Sequence, residues 1–332
     1  MLVRVLVPLV ALAVVPVVGA APAYADYDLA IDLGTLYGGS STAWSINDNQ
    51  EIAGTSDWMP VMWQRQRIHA LPLPEGYLGG TARDINNYGY SVGMVWDTNY
   101  VPRAALWTYS TVTLLETSAP GGSGAYGIND AGEIVGYADF GSGYAPAFFS
   151  GGVANRVNPN DYGTAYTLSQ GSPAVIVGNH TVNGVQTAYE NGIGPWYVRY
   201  LDLGQGAAWA VRPDGQEVYG NSVVNGVNRP TRWAWNGSAW LATDLGVPGG
   251  GGSGFINDAN PWGNTLAGGG TDAQGNPVAF AWESTAGSIV LHDFGGSCGQ
   301  RSGNGINGVG EIVGTGCTAD GQQHAILWTS AS

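Results

Sequence analysis

The stretch GINDAGEIVG, Gly127 to Gly136, reads as the ends of two short strands around a turn: Ile128, then Asn-Asp-Ala-Gly, then Glu-Ile-Val-Gly. Asn-Asp-x-Gly is what a tight hairpin needs, because Asn, Asp and Gly tolerate positive φ. Near-copies run along the chain: SINDNQEIAG from Ser45, DINNYGYSVG from Asp84, FINDANPWGNTLAG from Phe255 and GINGVGEIVG from Gly305. Two copies are worn, TLSQGSPAVIVG from Thr167 and AVRPDGQEVYG from Ala210. Aligned on Ile46, Ile85, Ile128, Leu168, Val211, Ile256 and Ile306, the seven lie 39, 43, 40, 43, 45 and 50 residues apart. A period near 40–45 residues, holding several short strands and no helical periodicity, is the signature of a β-propeller.

Around this turn each copy repeats the same parts. A Gly/Ser/Ala-rich entry comes first, then the turn and a β-branched strand, then a polar loop. An A-x-x-W segment follows: PVMW at Pro60, AALW at Ala104, RWAW at Arg232, AFAW at Ala279 and AILW at Ala325. Small residues on the first strand suit a crowded axis, and tryptophans on the third suit packing between the wider outer parts of neighbouring blades. Fourth strands are expected near 31–36, 68–72, 112–116, 153–157, 198–203, 241–245 and 289–294. The first of these precedes the first copy, and the last copy ends at Trp328 without one. The expected architecture is therefore all-β: one seven-bladed propeller of four-stranded blades over residues 26–332, its last blade completed by AIDLGTL near the N-terminus.

Three segments, GGSGAYGINDAGEIVGYA from Gly121, HAILW at His324 and DLGTL at Asp32, resemble the bacterial extracellular HAF-repeat family, whose name matches the HAILW type of motif. The resemblance extends over essentially the whole chain after the leader and is strongest in copies one, three and seven. It implies export and a repeat fold, and no general enzymatic activity.

Residues 1–25 read as a secretory leader. Arg4 is the only charge before Asp26, an apolar run follows, and Ala23-Tyr24-Ala25 forms a small-x-small cleavage site. The rival reading is a single membrane anchor, against which Pro16, Gly19 and Pro22 interrupt the run. No later segment is apolar enough to span, so no membrane insertion is expected after cleavage and the protein is expected outside the cell. The net charge is −14, with no lysine in the chain. That excludes nucleic acid and anionic lipid as natural partners, since both need a basic face. Two cysteines in an exported chain favour one disulfide, Cys298–Cys317, over two free thiols.

Chemistry is hard to find in the repeat. Phosphate loops fail for lack of lysine, and zinc sites for lack of clustered His and Cys. The repeated Asn-Asp at Asn47, Asn129 and Asn257 admits a calcium reading, but a hairpin turn needs the same residues. Neither a metal nor a cofactor is expected. What departs from the repeat points to one face, where second-to-third-strand and blade-to-blade loops meet. There the chain places Trp58, Tyr77, Tyr100, Arg103, Asp139, Tyr144, Tyr162, His180 and Arg301. His180 is read as lying in a long loop. Aromatic groups with acidic and arginine neighbours suit recognition of an extracellular glycan or of a surface protein; they can also simply cap a rim. The expected function is a binding module. The alternatives are a carbohydrate-active lyase or hydrolase, in which Tyr100, Arg103, Tyr144 and His180 would supply base and carboxylate clamp, and a structural surface repeat.

Overall fold

The computed structural model describes residue 27 and residues 29–116, 118–157, 162–192 and 201–329; the leader read over 1–25 lies outside them. Apart from one 3-10 turn at Pro248–Gly250, the described elements are β-strands. No helix among the described residues is long and apolar enough to cross a membrane.

Unit three, around the GINDAGEIVG turn, shows the plan. Strands Ser123–Ile128, Ile134–Asp139, Tyr144–Ser150 and Val153–Arg156 pair as an antiparallel meander in chain order. Units one, two, four, five, six and seven open with Ser41–Ile46, Gly79–Ile85, Gly163–Leu168, the second half of Leu201–Val211, Gly254–Ala259 and Ser302–Ile306. The first half of Leu201–Val211 pairs with Val185–Gly192, so one strand ends unit four and begins unit five. The third strand of unit seven, Gln323–Thr329, pairs antiparallel with Leu29–Asp32, Leu29 facing Thr329 and Asp32 facing Ile326. The motif histidine His324 bonds both carboxylate oxygens of Asp32 at 2.8 and 2.9 Å.

Every first strand carries a one-residue bulge, at Trp44, Arg83, Tyr126, Tyr166, Trp209, Asn257 and Asn304. The bulge brings an inner-strand carbonyl beneath the strand opposite. A Cβ on Gly54, Gly93 or Gly136 would run into the carbonyl oxygen of Thr42, Thr81 or Gly124, and Gly178, Gly220, Gly268 and Gly314 are placed alike. This close approach explains why all seven copies of the motif close on glycine.

The apolar core lies between neighbouring sheets. Ala53 and Met62 of unit one meet Ala82, Ile85 and Trp107 of unit two. The same packing continues to unit seven, whose Val313, Ala325 and Leu327 meet Ala43, Ile52 and Trp63 of unit one. Trp63, Trp107 and Trp328 are buried, and each indole N–H donates to a carbonyl outside its own sheet's third strand, at Leu33, Pro72 and His292. A buried indole needs such an acceptor.

Three sequence assignments shift. In RWAW the residue at the buried register is Trp233, which faces Val218 as Trp63 faces Ile52, and Trp235 lies two residues further out. In unit six Ile256 faces Gly268, so the residue matching Ile46 is Ala259 and the turn asparagine is Asn260, not Asn257. The glycine clash fixes that register, and it outweighs the local Ile-Asn-Asp likeness. His180 is not in a loop: it lies buried on strand Val175–Val182, facing Thr187 and Gly163. Asn183 and Gly184, both at positive φ, make a two-residue hairpin that prolongs the strands past the expected loop. Cys298 and Cys317 form a disulfide with Cα atoms 5.5 Å apart, tying the segment before Ser302–Ile306 to the end of Ile312–Cys317.

Candidate functional site in the central cavity

The first strands of all seven units line one cavity, and its two ends are built differently. At the turn end stand Asn47, Asn86, Asn129 and Asn307, all buried. Each amide oxygen accepts backbone N–H groups of its own turn, as Asn86 does from Tyr88 and Tyr90. Each amide nitrogen donates to the next unit: Asn47 to the carbonyl of Asn86, Asn86 to Asn129, Asn129 to Ser169, and Asn307 to Asn47. One position outward, Asp48 Oδ1 accepts from Gly308, Asn87 Oδ1 from Asp48, and Asp130 Oδ1 from Asn87. The Asn-Asp pair thus makes the turn with one side-chain atom and joins neighbouring sheets with others, so it recurs for a structural reason.

Three residues earlier on the same strands, the bulges point their side chains to the other end. Tyr166 and Trp209 stack at 3.7 Å between ring centroids, tilted 16°. Tyr126 meets Tyr166 edge-on at 5.7 Å. The Arg83 guanidinium lies 3.9 Å over the Trp44 ring and 5.2 Å from that of Tyr126. Trp44, Arg83, Tyr126, Tyr166 and Trp209 thus form a continuous arc across units one to five, completed by the amides of Asn257 and Asn304. Their own polar atoms are anchored: Asn179 donates to Tyr166 Oη, Trp209 donates to Asn221, and Asn304 donates to the carbonyl of Ala43. The arc faces a small recess of about 130 Å³ that opens into a mouth of about 730 Å³, within the range of small-ligand sites.

Below the arc two carboxylates line the recess, Asp84 and Asp258. Asp84 accepts from the Ser45 hydroxyl and the Ile85 and Ile128 amides; Asp258 accepts from the amides of Ala259 and Ile306. Burial raises the Asp84 carboxyl to about 6 and the Asp258 carboxyl, with the charge of Asp84 adding, to about 7. Burial also lowers the Arg83 guanidinium from its usual value.

The residues expected on the loop face fall into three groups. Trp58 and Tyr100, both exposed at positive φ, come together with Leu78, Gly79 and Trp96 around an outer hollow of about 510 Å³. Arg301 lines the mouth of the central cavity, its Nε donating to Asp293 at 2.7 Å. The rest serve their own neighbourhoods. Asp139 accepts from Gly141 and Gly143, and Tyr144 donates to the carbonyl of Gly121. Arg103 donates to the carbonyl of Ala119, Tyr77 packs half-buried on the core between units one and two, and Tyr162 is exposed. The four groups considered for lyase chemistry stand apart in setting: Tyr100 is exposed at a turn of unit two, while His180 is buried against Tyr189 within unit four. The arc itself was not singled out from sequence. Its signal was the residue two before each motif aliphatic, where Trp44, Arg83, Tyr126, Tyr166 and Trp209 are bulky in a column otherwise expected to be small.

No family model and no curated protein matches the chain. Solved structures do match in fold. The oligogalacturonate lyase of Vibrio parahaemolyticus superposes with a TM-score of 0.58 at 10% identity, over 91% of this chain and 94% of that one. The Swd1 β-propeller domain of Myceliophteria thermophila gives 0.56 at 13%, over 92% and 100%. TolB of Acinetobacter baumannii gives 0.51 at 14%, over 87% and 79%. The chain has a β-propeller fold. At these identities the likeness is one of fold, and function rests on the site.

Proposed function

We propose that this protein is an exported, HAF-type seven-bladed propeller, closed by Leu29–Asp32 as the fourth strand of its last blade, that binds an extracellular saccharide in its central cavity. The closure is supported by the pairing of Leu29–Asp32 with Gln323–Thr329 and by the core that units seven and one share. Export is supported by the A-x-A leader and the disulfide.

One observation carries the binding reading: the bulge column. Structural demands are alike in every unit, and the turn asparagines and closing glycines answer them with repetition. The bulge residues occupy equivalent positions, face the cavity, and differ from unit to unit. Four are aromatic and one is cationic, and they sit in a recess rather than on a flat surface. Aromatic rings flanked by amides and a guanidinium are the groups that pack on sugar rings and bond their hydroxyls. The outer hollow at Trp58 and Tyr100 is a second contact for a longer chain.

The test is a glycan array followed by calorimetric titration of the hits. Tyr166→Ala and Trp209→Ala should weaken binding by about 1–3 kcal/mol each, the range for losing an aromatic anchor. An array without hits, or hits whose affinity ignores both variants, would reject the central cavity as the site.

A further inference from the structure

Arg83 is recessed in the cavity, and no described acidic group pairs with it. Its Nε lies buried without a hydrogen-bond partner. Its described contacts are aromatic: the face of Trp44 on one side and Tyr126 on the other. The other arginine at the cavity, Arg301, is already bonded to Asp293. The two carboxylates below, Asp84 and Asp258, spend their oxygens on backbone amides and a serine hydroxyl, not on Arg83. A cation removed from water and left without a counter-charge is costly to a fold. The chain nevertheless holds one within an aromatic arc whose equivalent positions in other units are tryptophan, tyrosine or an asparagine amide.

A guanidinium held in plane by flanking rings presents its remaining N–H groups as a rigid fork, the geometry that matches a planar carboxylate. A multiply charged anion fits less well, since the protein carries a net charge of −14 and two further carboxyl groups beneath the site. The flanking rings and the amides of Asn257 and Asn304 suit a sugar ring attached to that carboxylate.

We infer that the saccharide bound in the central cavity carries a carboxylate, a uronic acid residue, which pairs with the Arg83 guanidinium. This rests on the saccharide-binding reading above and names the ligand class for that site.

The experiment uses the secreted protein and trisaccharides containing glucuronate, galacturonate, mannuronate or guluronate, each paired with the same trisaccharide after reduction of its carboxyl to the neutral sugar. At least one acid member should bind the wild type about tenfold more tightly than its reduced twin, roughly the value of one charge-assisted pair. That preference should shrink as salt is raised from about 0.02 M to about 0.5 M, because the pair is electrostatic. Arg83→Gln should bind the acid and reduced twins equally; Arg83→Lys should keep part of the preference, having the charge without the fork. The salt series needs no variant, so a misfolded Arg83→Gln leaves the inference testable. Equal binding of every acid and its twin to wild type, or an acid preference that survives Arg83→Gln, overturns the inference while leaving the saccharide reading in place. If no acid, reduced twin or arrayed neutral glycan binds, both readings fall.

Discussion

Arg83 and Asn86 stand three residues apart on one strand and face opposite ends of one cavity. Asn86 has close counterparts at positions 47, 129 and 307, and all four make the same two kinds of bond. Arg83 has counterparts in tryptophan, tyrosine and asparagine, and they make no common bond. The difference separates two kinds of constraint. A turn that must also bridge to the next sheet narrows its side chain to few solutions, so asparagine recurs there, with Ser169 and Arg212 as the exceptions. A side chain that faces an enclosed space is released from that demand, so its identity can follow whatever fills the space.

The comparison can be broken in order of expected effect. Trp107→Ala removes a buried indole and its bond to the carbonyl of Pro72, and should cost about 3–5 kcal/mol in denaturant unfolding. A smaller loss would mean that the third-strand tryptophans are not the packing units of the repeat. Asn86→Ala deletes one acceptor of two turn amides and the donor to Asn129, and should cost about 2–3 kcal/mol while leaving saccharide affinity near wild type. Arg83→Gln, three residues away, should do the reverse: stability within about 1 kcal/mol, or a gain, because an unpaired recessed charge is removed. Equal destabilisation by both would erase the distinction between the two columns.

A pH titration sharpens the same contrast without mutation. Asp84 and Asp258 hold folded-state values of about 6 and about 7, above the unfolded value of about 4. The folded chain therefore binds more protons than the unfolded one across that window. The stabilisation is full below the unfolded value and is lost as pH rises through about 6 and 7. Glu217 has the opposite sign. Burial pushes its carboxyl up, but the hydrogen bonds from Arg232 and Tyr219 and the charge of Arg212 outweigh it and hold the group at about 2. Its contribution is present above the unfolded value and is lost as pH falls through about 2. Stability should thus peak near about pH 4 and fall by several kcal/mol towards pH 8, read from melting temperature against pH. A rise from pH 5 to 8 would show that the two aspartates are not buried as described. The smallest effect is expected at the rim: Trp58→Ala and Tyr100→Ala should leave stability within about 0.5 kcal/mol, since both side chains are largely solvent-exposed.

The four-strand repeat was legible because its signals are local. Asn, Asp and Gly at a turn, a β-branched strand after it and a tryptophan at fixed distance act through neighbours a few residues away, and each expected fourth strand overlaps one found, residues 198–200 lying outside the described residues. His180 was misplaced because Asn183-Gly184 can close a hairpin as tightly as it can sit in a loop, and only the pairing partners across the sheet decide which. Ile256 was misaligned because the repeated letters Ile-Asn-Asp carry no record of which residue faces Gly268. The disulfide needed only compartment and spacing.

By itself, then, the sequence determined that this is an acidic, all-β repeat protein whose turns, glycines and tryptophans recur because each answers a short-range demand. Only the tertiary structure decided where the unrepeated side chains go. A bulge is a register shift between two strands, invisible in either strand alone, and it is the bulge that turns Trp44, Arg83, Tyr126, Tyr166 and Trp209 out of the sheet and into one cavity. Residues spread over more than 160 positions of chain meet there because the units pack side by side around it, a long-range condition that no local pattern encodes.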